Sequence, residues 1–310
     1  MQRSRREKFK VFKNPFIKVY FKESQYKKRS FIYLSEIYLY MNVSMFTNSE
    51  LINHGLLDNV PWIDANWMFL SLFFGVLLFL WLLFSPKWSG TIKEKLHNPK
   101  WLGYLVVFVY SIHQFEEHGF DIFGRRYMFA SVFNASIILD SSLGIELLPR
   151  TITLLNILFI WGALLLWAKM SKPENSYYLV TMAWGFAVVN GIVGHLLAIF
   201  TQTGELRYMP GAFQSIFMVP LGIYILLKVF KQLGVFKGFV LPLIIGIILH
   251  VTVLIFPLLF FQIYFTWIPQ EIIWPVFIGI SAFVPILAMP LLKKYLKLEH
   301  WKGKTTEIPK

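Results

Sequence analysis

The stretch V-F-V-Y-S-I-H-Q-F-E-E-H-G-F-D, residues 107–121, decides how the rest of the sequence is interpreted. It begins as an apolar run and then carries His113, Glu116, Glu117 and His118. Positions i, i+3 and i+4 share one face of a helix, so His113, Glu116 and Glu117 are predicted to project together. Ionisable groups inside a membrane span are costly, and they usually face a bundle interior where they bind, transport or catalyse. The sequence therefore predicts that the chemistry of this protein lies here.

The composition is typical of a membrane protein. Of 310 residues, 56% are hydrophobic and 15% are charged, whereas a soluble domain carries about 25% charged residues. Several apolar runs approach or exceed the ~20 residues with which a helix crosses ~30 Å of hydrocarbon. We expect an all-α, polytopic transmembrane helical bundle of about seven spans within residues 67–292, with an interfacial or re-entrant helix near residues 127–139. The predicted spans are residues 67–84, 101–119, 151–168, 178–200, 212–229, 239–262 and 272–292.

Much of the positive charge lies near the N-terminus. The formal net charge is +13, and residues 1–44 hold eleven Lys/Arg against three acids. The remaining charge lies mostly in short loops, which is typical of charge that sets membrane topology and argues against a nucleic-acid partner. Two interpretations of residues 1–44 stay open: a basic arm on anionic lipid, or an extension upstream of a natural start at Met41 or Met45. Neither interpretation gives this segment a catalytic part.

The basic loops predict an orientation. Lys and Arg concentrate at residues 85–100, 169–176 and 228–237 and in the tail at residues 293–310, while the alternating loops are mostly poorer in them. Such loops tend to stay in the cytoplasm, so the tail is predicted to be cytoplasmic and the polar segment at residues 45–66 extracytoplasmic. The expected partner is the lipid bilayer, with the cell membrane as the predicted location. The sequence sets no oligomeric state.

Three predicted spans carry a histidine, namely His113, His195 and His250. At 1.5 Å per residue these histidines lie about 16–25 Å along spans that run in the same direction, so their depths overlap. Asn190 falls at a similar depth and is a candidate hydrogen-bonding partner. If these helices are neighbours, the groups meet near Glu117 in the outer half of the bilayer.

The donor types restrict the metals that this site can hold. The chain has no Cys, so a metal here would rest on imidazole, carboxylate, amide or water ligands. Imidazoles and carboxylates without thiolates fit a zinc or iron site. An alternative without metal uses a desolvated glutamate as general base. The predicted metal ligands are His113, Glu117, His195 and His250, and the predicted catalytic residues are His113, Glu116, Glu117, Asn190 and His195.

Other polar or small residues have simpler explanations. His118 is five positions from His113 and points off the shared face, so it is expected at the membrane interface, as is Asp121. The turn Y-M-P-G at residues 208–211 is explained by Pro at a helix start and Gly in a tight turn. Small residues in the fourth span are expected to allow close helix packing; they are Ala187, Gly191, Gly194 and Ala198.

The sequence H-Q-F-E-E at residues 113–117 resembles the integral-membrane family named for its HXXEE motif. The stretch N-G-I-V-G-H at residues 190–195, the Y-M-P-G turn and His250 are similar to the other polar landmarks of that family. The resemblance runs from about residue 67 to residue 292. The family has no established reaction, and its polar residues imply a membrane enzyme without naming a substrate.

Three functions are compatible with this pattern. We favour a membrane-embedded hydrolase or lipid-modifying enzyme, in which the three histidines bind a metal or orient a water while Glu116 and Glu117 ligate and act as base. The attacked bond would belong to a lipid or peptide reaching in from the bilayer. The alternative is a transporter or channel that uses the same groups as a proton or cation relay, although the sequence shows no clear internal repeat. The third is a non-catalytic membrane protein whose polar cluster only joins helices.

Overall fold

The computed structural model describes residues 60–122, 124, 148–172, 177–196, 211–250, 268–269, 271–280, 283 and 286. The elements that these residues form are helices, which confirms the all-α prediction. The predictions for residues 1–44, 127–139 and 293–310, and for most of residues 45–66, fall outside the described ranges.

Eight helices are present in the described part of the chain. They are α1 (Trp62–Phe84), the short α2 (Ile92–Lys95), α3 (Pro99–His118), α4 (Pro149–Met170), α5 (Tyr177–Leu196), α6 (Ala212–Val235), α7 (Leu241–His250) and α8 (Glu271–Ile280). A 3₁₀ turn, Pro86–Trp88, lies between α1 and α2. Three stretches are wound as π-helix: Ile157–Leu164 in α4, Trp184–Leu196 in α5, and Phe236–Val240 before α7.

Three of the described helices, α1, α4 and α5, are long and apolar enough to cross a membrane. Shorter apolar helices occupy Ala212–Lys228, Phe236–Ile248 and Glu271–Ile280. Helix α3 has 20 residues, the length of a span, but the polar residues of its last two turns lower its hydropathy. The chain therefore has helices that fit a membrane protein, and the total of seven spans stays a prediction.

Helix α1 begins at Trp62, five residues before the predicted start of the first span. Pro61 precedes this first residue, and Asp64 in the first turn is buried. The carboxylate of Asp64 accepts hydrogen bonds from Arg150 Nε at 2.6 and 2.8 Å. The charge of Asp64 is thus paired, which allows a residue from the polar segment to lie inside the helical bundle. The pair also joins the N-terminal ends of α1 and α4.

The opposite end of the bundle is held by bonds to backbone carbonyls. Trp101 Nε1 donates to the carbonyl of Leu82 at 3.2 Å, and Tyr224 Oη donates to the carbonyl of Leu96 at 3.0 Å. Lys228 Nζ reaches the same Leu96 carbonyl at 3.4 Å. These contacts join α1, α3 and α6 at the end that carries the lysine-rich loop of residues 87–100. The polar residues at the C-terminal end of α3 therefore lie at the other end of the bundle.

Helix α1 presents a broad apolar surface. Its exposed side chains include Phe69, Phe73, Leu77, Leu80 and Phe84. Soluble monomers rarely expose contiguous apolar patches larger than a few hundred Å². Such a surface fits a helix that is long and apolar enough to cross a membrane.

Helices α5 and α6 cross closely at small residues. A Cβ placed on Gly222 of α6 would overlap the Cβ of Ala187 and lie 3.2 Å from the carbonyl oxygen of Ala183. A Cβ on Gly191 would lie 3.0 Å from Val219 Cγ2. This confirms the packing role predicted for Ala187 and Gly191. Residues four apart along α5 form the buried line Ala183, Ala187, Gly191 and His195, and π-helical i→i+5 bonding favours such a spacing because each turn contains more residues.

Replacing Gly222 by alanine is expected to destabilise the protein by about 1–3 kcal/mol, because the added methyl group forces α5 and α6 apart. The measurement is the unfolding midpoint in detergent. Gly279→Ala is the matched control, since a Cβ there meets nothing within 4 Å. Equal midpoints for the two variants would contradict the close crossing.

Candidate metal centre

The C-terminal two turns of α3 are polar and buried. His113 and Gln114 are fully buried, and Glu116, Glu117 and His118 are each less than one-tenth exposed. Burying charged or polar groups is costly unless partners compensate them. This burial confirms the sequence-based prediction that His113, Glu116 and Glu117 face the bundle interior.

Glu117 is the centre of the cluster. Its Oε2 lies 3.4 Å from His113 Nε2 and 3.5 Å from His118 Nε2, and its Oε1 lies 3.7 Å from His195 Nε2. Gln114 Nε2 donates a hydrogen bond to Oε2 at 2.9 Å. One buried carboxylate is thus surrounded by three imidazoles and an amide. The predicted meeting of His113, Glu117 and His195 is confirmed.

These three residues could hold a metal ion. His113 and Glu117 lie one helical turn apart on α3, and His195 comes from α5, with its ring centroid 4.6 Å from that of His113. Each residue offers one ligand atom, and the three atoms lie within 4.8 Å of one another. Zinc bonds of ~2.0–2.2 Å in tetrahedral geometry place neighbouring ligand atoms about 3.3–3.5 Å apart. Small rotations of these side chains would bring the three atoms to that spacing.

The imidazole of His113 lies beside the Glu117 carboxylate without a well-formed hydrogen bond. Within the described residues, neither ring nitrogen of this fully buried imidazole makes a hydrogen bond, although Nε2 lies near Glu117. A buried donor or acceptor without a partner costs about 1–3 kcal/mol. A cation bound between His113, Glu117 and His195 would give His113 Nε2 a partner.

Glu116 faces a different helix from Glu117. Its Oε2 accepts a hydrogen bond from the backbone N–H of Gln214 at 3.0 Å, and the N–H groups of Gly211 and Phe213 also interact with this carboxylate. These amides form the N-terminus of α6, where N–H groups lack helical partners and the helix dipole attracts an anion. Two adjacent glutamates therefore have separate partners, and Glu116 joins α3 to α6.

Gly211 brings the start of α6 against both imidazoles. Its φ is +93°, and a Cβ there would lie 2.5 Å from His195 Cε1 and 2.7 Å from His113 Cε1. The sequence explained this glycine only as part of a turn. Its additional role, which follows from the packing, is to let backbone lie beside the candidate ligands. The signal in the sequence was the position of this glycine in the Y-M-P-G turn, the second polar landmark after the H-Q-F-E-E motif.

The expectation that His118 lies at an interface is wrong. This side chain is buried, its Nε2 lies 3.3 Å from Asn156 Nδ2, and its ring centroid is 5.1 Å from that of Trp67. The N-terminal parts of α1 and α4 pack over the end of α3 and cover the ring. Asp121 is also buried and not at an exposed interfacial position.

Asn190 contacts the cluster indirectly. Its Nδ2 donates a hydrogen bond to Tyr110 Oη at 2.7 Å. The ring of Tyr110 lies 5.4 Å from that of His113, centroid to centroid. This places Asn190 one side chain away from the predicted ligands, so the contacts support it as a positioning group.

His250 is the last residue of α7, and its side chain lies outside the described part of the chain. Its predicted role as a metal ligand stays a prediction.

One family model matches the part of the chain that contains this cluster. No curated protein and no solved structure matched the chain significantly. The model of a family described as "Protein of unknown function with HXXEE motif" matches residues 104–225. The matched range contains His113, Glu117 and His195, together with Glu116 and Gly211. The resemblance that the H-Q-F-E-E sequence indicated is thereby confirmed over residues 104–225, and its extension to residues 67–103 and 226–292 stays a prediction.

Proposed function

We propose that this protein is a membrane-embedded, zinc-dependent hydrolase that cleaves a bond in a lipid or peptide reaching the cluster from the bilayer. The observation that carries the proposal is the buried group of His113, Glu117 and His195, with three ligand atoms within 4.8 Å. Catalytic zinc sites commonly use three protein ligands of this type, including the His₂Glu set, and keep a further position open.

The contacts of each residue indicate whether it would bind the ion or orient a ligand. His113 and Glu117 would hold the ion from α3, and His195 would hold it from α5. Gln114 orients the Glu117 carboxylate through its 2.9 Å hydrogen bond, and such outer partners commonly change metal affinity 10–100-fold. Glu116 is assigned to the N-terminus of α6 and not to the ion.

The protein groups also offer a path for a proton. When bound, a zinc ion supplies Lewis acidity toward a carbonyl or phosphoryl oxygen. A proton released by the attacking water can be accepted at Glu117 Oε2. From there it can pass to His118 Nε2, 3.5 Å away. This arrangement resembles general acid–base catalysis with two neighbouring groups near one reacting centre.

Elemental analysis of the purified protein tests the proposal. We expect about one zinc per chain and at least a tenfold lower content in His195→Ala, because one of three ligands is lost. Lys93→Ala, at an exposed position of the short helix α2, should keep the wild-type zinc content. Wild-type protein without stoichiometric metal would overturn the proposal.

Two other results would point to different functions. Iron in place of zinc would overturn hydrolysis in favour of oxygen chemistry, because two histidines and one carboxylate also hold Fe(II) in oxygenases. Proton or cation flux in liposomes, without bound metal and lost in His195→Ala, would instead support the relay function.

A further inference from the structure

Lysines gather at the end of the bundle opposite to the candidate metal centre. Helices α3 and α4 approach closely there, since a Cβ on Gly103 would lie 2.9 Å from Ala168 Cα. Lys100 precedes Gly103 by one helical turn, and Lys169 and Lys172 follow Ala168 by one and four residues. The crossing therefore brings the start of α3 and the end of α4, with these three lysines, to one place.

A fourth lysine joins them from the 3₁₀ turn between α1 and α2. Lys87 Nζ lies 5.6 Å from the ring centroid of Trp81 and 5.8 Å from that of Trp88, distances at which an aromatic face attracts a cation. Both indoles pack against the ring of Tyr104, at centroid distances of 5.4 and 6.1 Å. Tyr104 lies one turn after Lys100 on α3, so these contacts hold Lys87 beside the start of that helix. The four residues are called the lysine cluster: Lys87, Lys100, Lys169 and Lys172.

The described residues offer no acid partner to the lysine cluster. Glu94 is the one acid among residues 85–100 and 165–172, and its carboxylate already accepts hydrogen bonds from the N–H and the hydroxyl of Thr91. Partial burial lowers the pKa of Lys100, which precedes the predicted second span, and the positive charges of the other three lysines lower it further. An anion from outside the described chain would offset this repulsion, because an opposite charge favours the charged form of each lysine.

The apolar surface of α1 reaches the lysine cluster. Phe84, the last residue of α1, is exposed and precedes Lys87 by three residues, and Leu80, one turn earlier, is exposed as well. A ligand that suits both surfaces carries a negative charge with hydrocarbon next to it. This combination favours a phospholipid over a soluble phosphate compound, because burying apolar side chains requires an apolar partner.

We propose that the lysine cluster binds the headgroup phosphate of an anionic phospholipid, whose acyl chains lie along the exposed face of α1. The sequence predicts that the lysine-rich end is cytoplasmic, and cytoplasmic leaflets carry anionic lipids that attract basic residues. Lysine binds phosphate as a point charge, so several ammonium groups from separate segments can share one headgroup. The bound lipid would join α1, α3 and α4 at this end. The site is independent of the proposed hydrolase, which lies at the other end of the bundle.

Native mass spectrometry of the full-length protein, released from detergent micelles, tests this inference. The probes are dioleoylphosphatidylglycerol, which has a net negative charge, and dioleoylphosphatidylcholine, which has none. We expect one phosphatidylglycerol to bind at least ~10-fold more tightly than phosphatidylcholine, because each lysine near anionic lipid contributes roughly fivefold in affinity. Equal affinity for the two lipids would overturn the proposal.

Exposed members of the lysine cluster give the variants. Lys172→Gln should lower the affinity for phosphatidylglycerol about fivefold, and the double variant Lys169→Gln/Lys172→Gln about 25-fold. Lys93→Gln is the matched control, because it removes the same charge from an exposed position of α2, and it should bind like wild type. Lys169→Arg/Lys172→Arg keeps both charges and should retain the lipid. Equal losses in Lys93→Gln and Lys172→Gln would show attraction by overall charge and would overturn the site.

Inorganic phosphate distinguishes the lipid from a soluble anion. We expect millimolar phosphate to displace phosphatidylglycerol no more than sodium chloride of the same ionic strength does, because phosphate ions have no chains to contact α1. Full displacement by phosphate alone would assign the lysine cluster to a soluble phosphate compound and overturn the lipid. Since this binding needs no zinc, lipid retention in a protein without metal would support the lysine cluster and leave the hydrolase to fail by itself.

Discussion

Glu117→Gln is expected to lower zinc affinity at least ~100-fold, more than the loss of an outer-shell partner usually costs. The amide has the volume of the carboxylate and can still accept the hydrogen bond from Gln114, so the fold should survive. The amide is neutral, whereas the Glu117 carboxylate, which lies among His113, His118 and His195, offers a negatively charged ligand to a cation. Zinc content and titration of the metal-free protein with zinc measure the effect.

Glu116→Gln is the matched control, one position along the same helix. It should keep its zinc, because Glu116 contacts the N-terminal amides of α6. Its effect should be a lower unfolding midpoint, since an anion at a helix N-terminus contributes about 0.3–2 kcal/mol. Equal loss of zinc in the two variants would show that both glutamates serve the ion and would refute the separation of their roles.

Gly211→Ala is expected to destabilise the protein by about 2–4 kcal/mol and to weaken zinc binding. Two causes add: the φ of +93° is unfavourable for alanine, and the new Cβ would lie within 2.7 Å of ring atoms of both His113 and His195. The imidazoles must move to accommodate it, which spoils their alignment for a common ion. The unfolding midpoint and zinc titration report the two effects separately.

Gly234→Ala separates strain from contact. Gly234 also has a positive φ, +74°, but a Cβ there meets nothing within 4 Å. This variant should show the cost of the backbone conformation alone and keep wild-type zinc affinity. If Gly211→Ala lowers the unfolding midpoint no more than Gly234→Ala does and binds zinc equally well, the close contact between Gly211 and the imidazoles does not affect metal binding.

Much of the centre could be predicted from the sequence because its signals are local. His113 and Glu117 are four residues apart, so helical geometry alone brings them to one face. The rarity of ionisable residues in apolar runs identified His195 as their partner on another helix. The distance of each histidine along its span placed them at a common depth, without any knowledge of helix packing.

The sequence by itself determined that the chain is helical and apolar and that His113 and Glu117 share one helix face, because periodicity and polarity are properties of each segment. It predicted His195 as a partner only on the condition that α3 and α5 are neighbours, and the tertiary structure decided that they are. Only the tertiary structure decided that Glu116 binds the N-terminus of α6 and that His118 is buried beside Asn156 and Trp67. These features depend on which helix end packs over a given side chain. Successive residues on a helix point in directions 100° apart. Which helix each side chain meets therefore depends on how the surrounding helices pack, and the sequence of one segment does not show this.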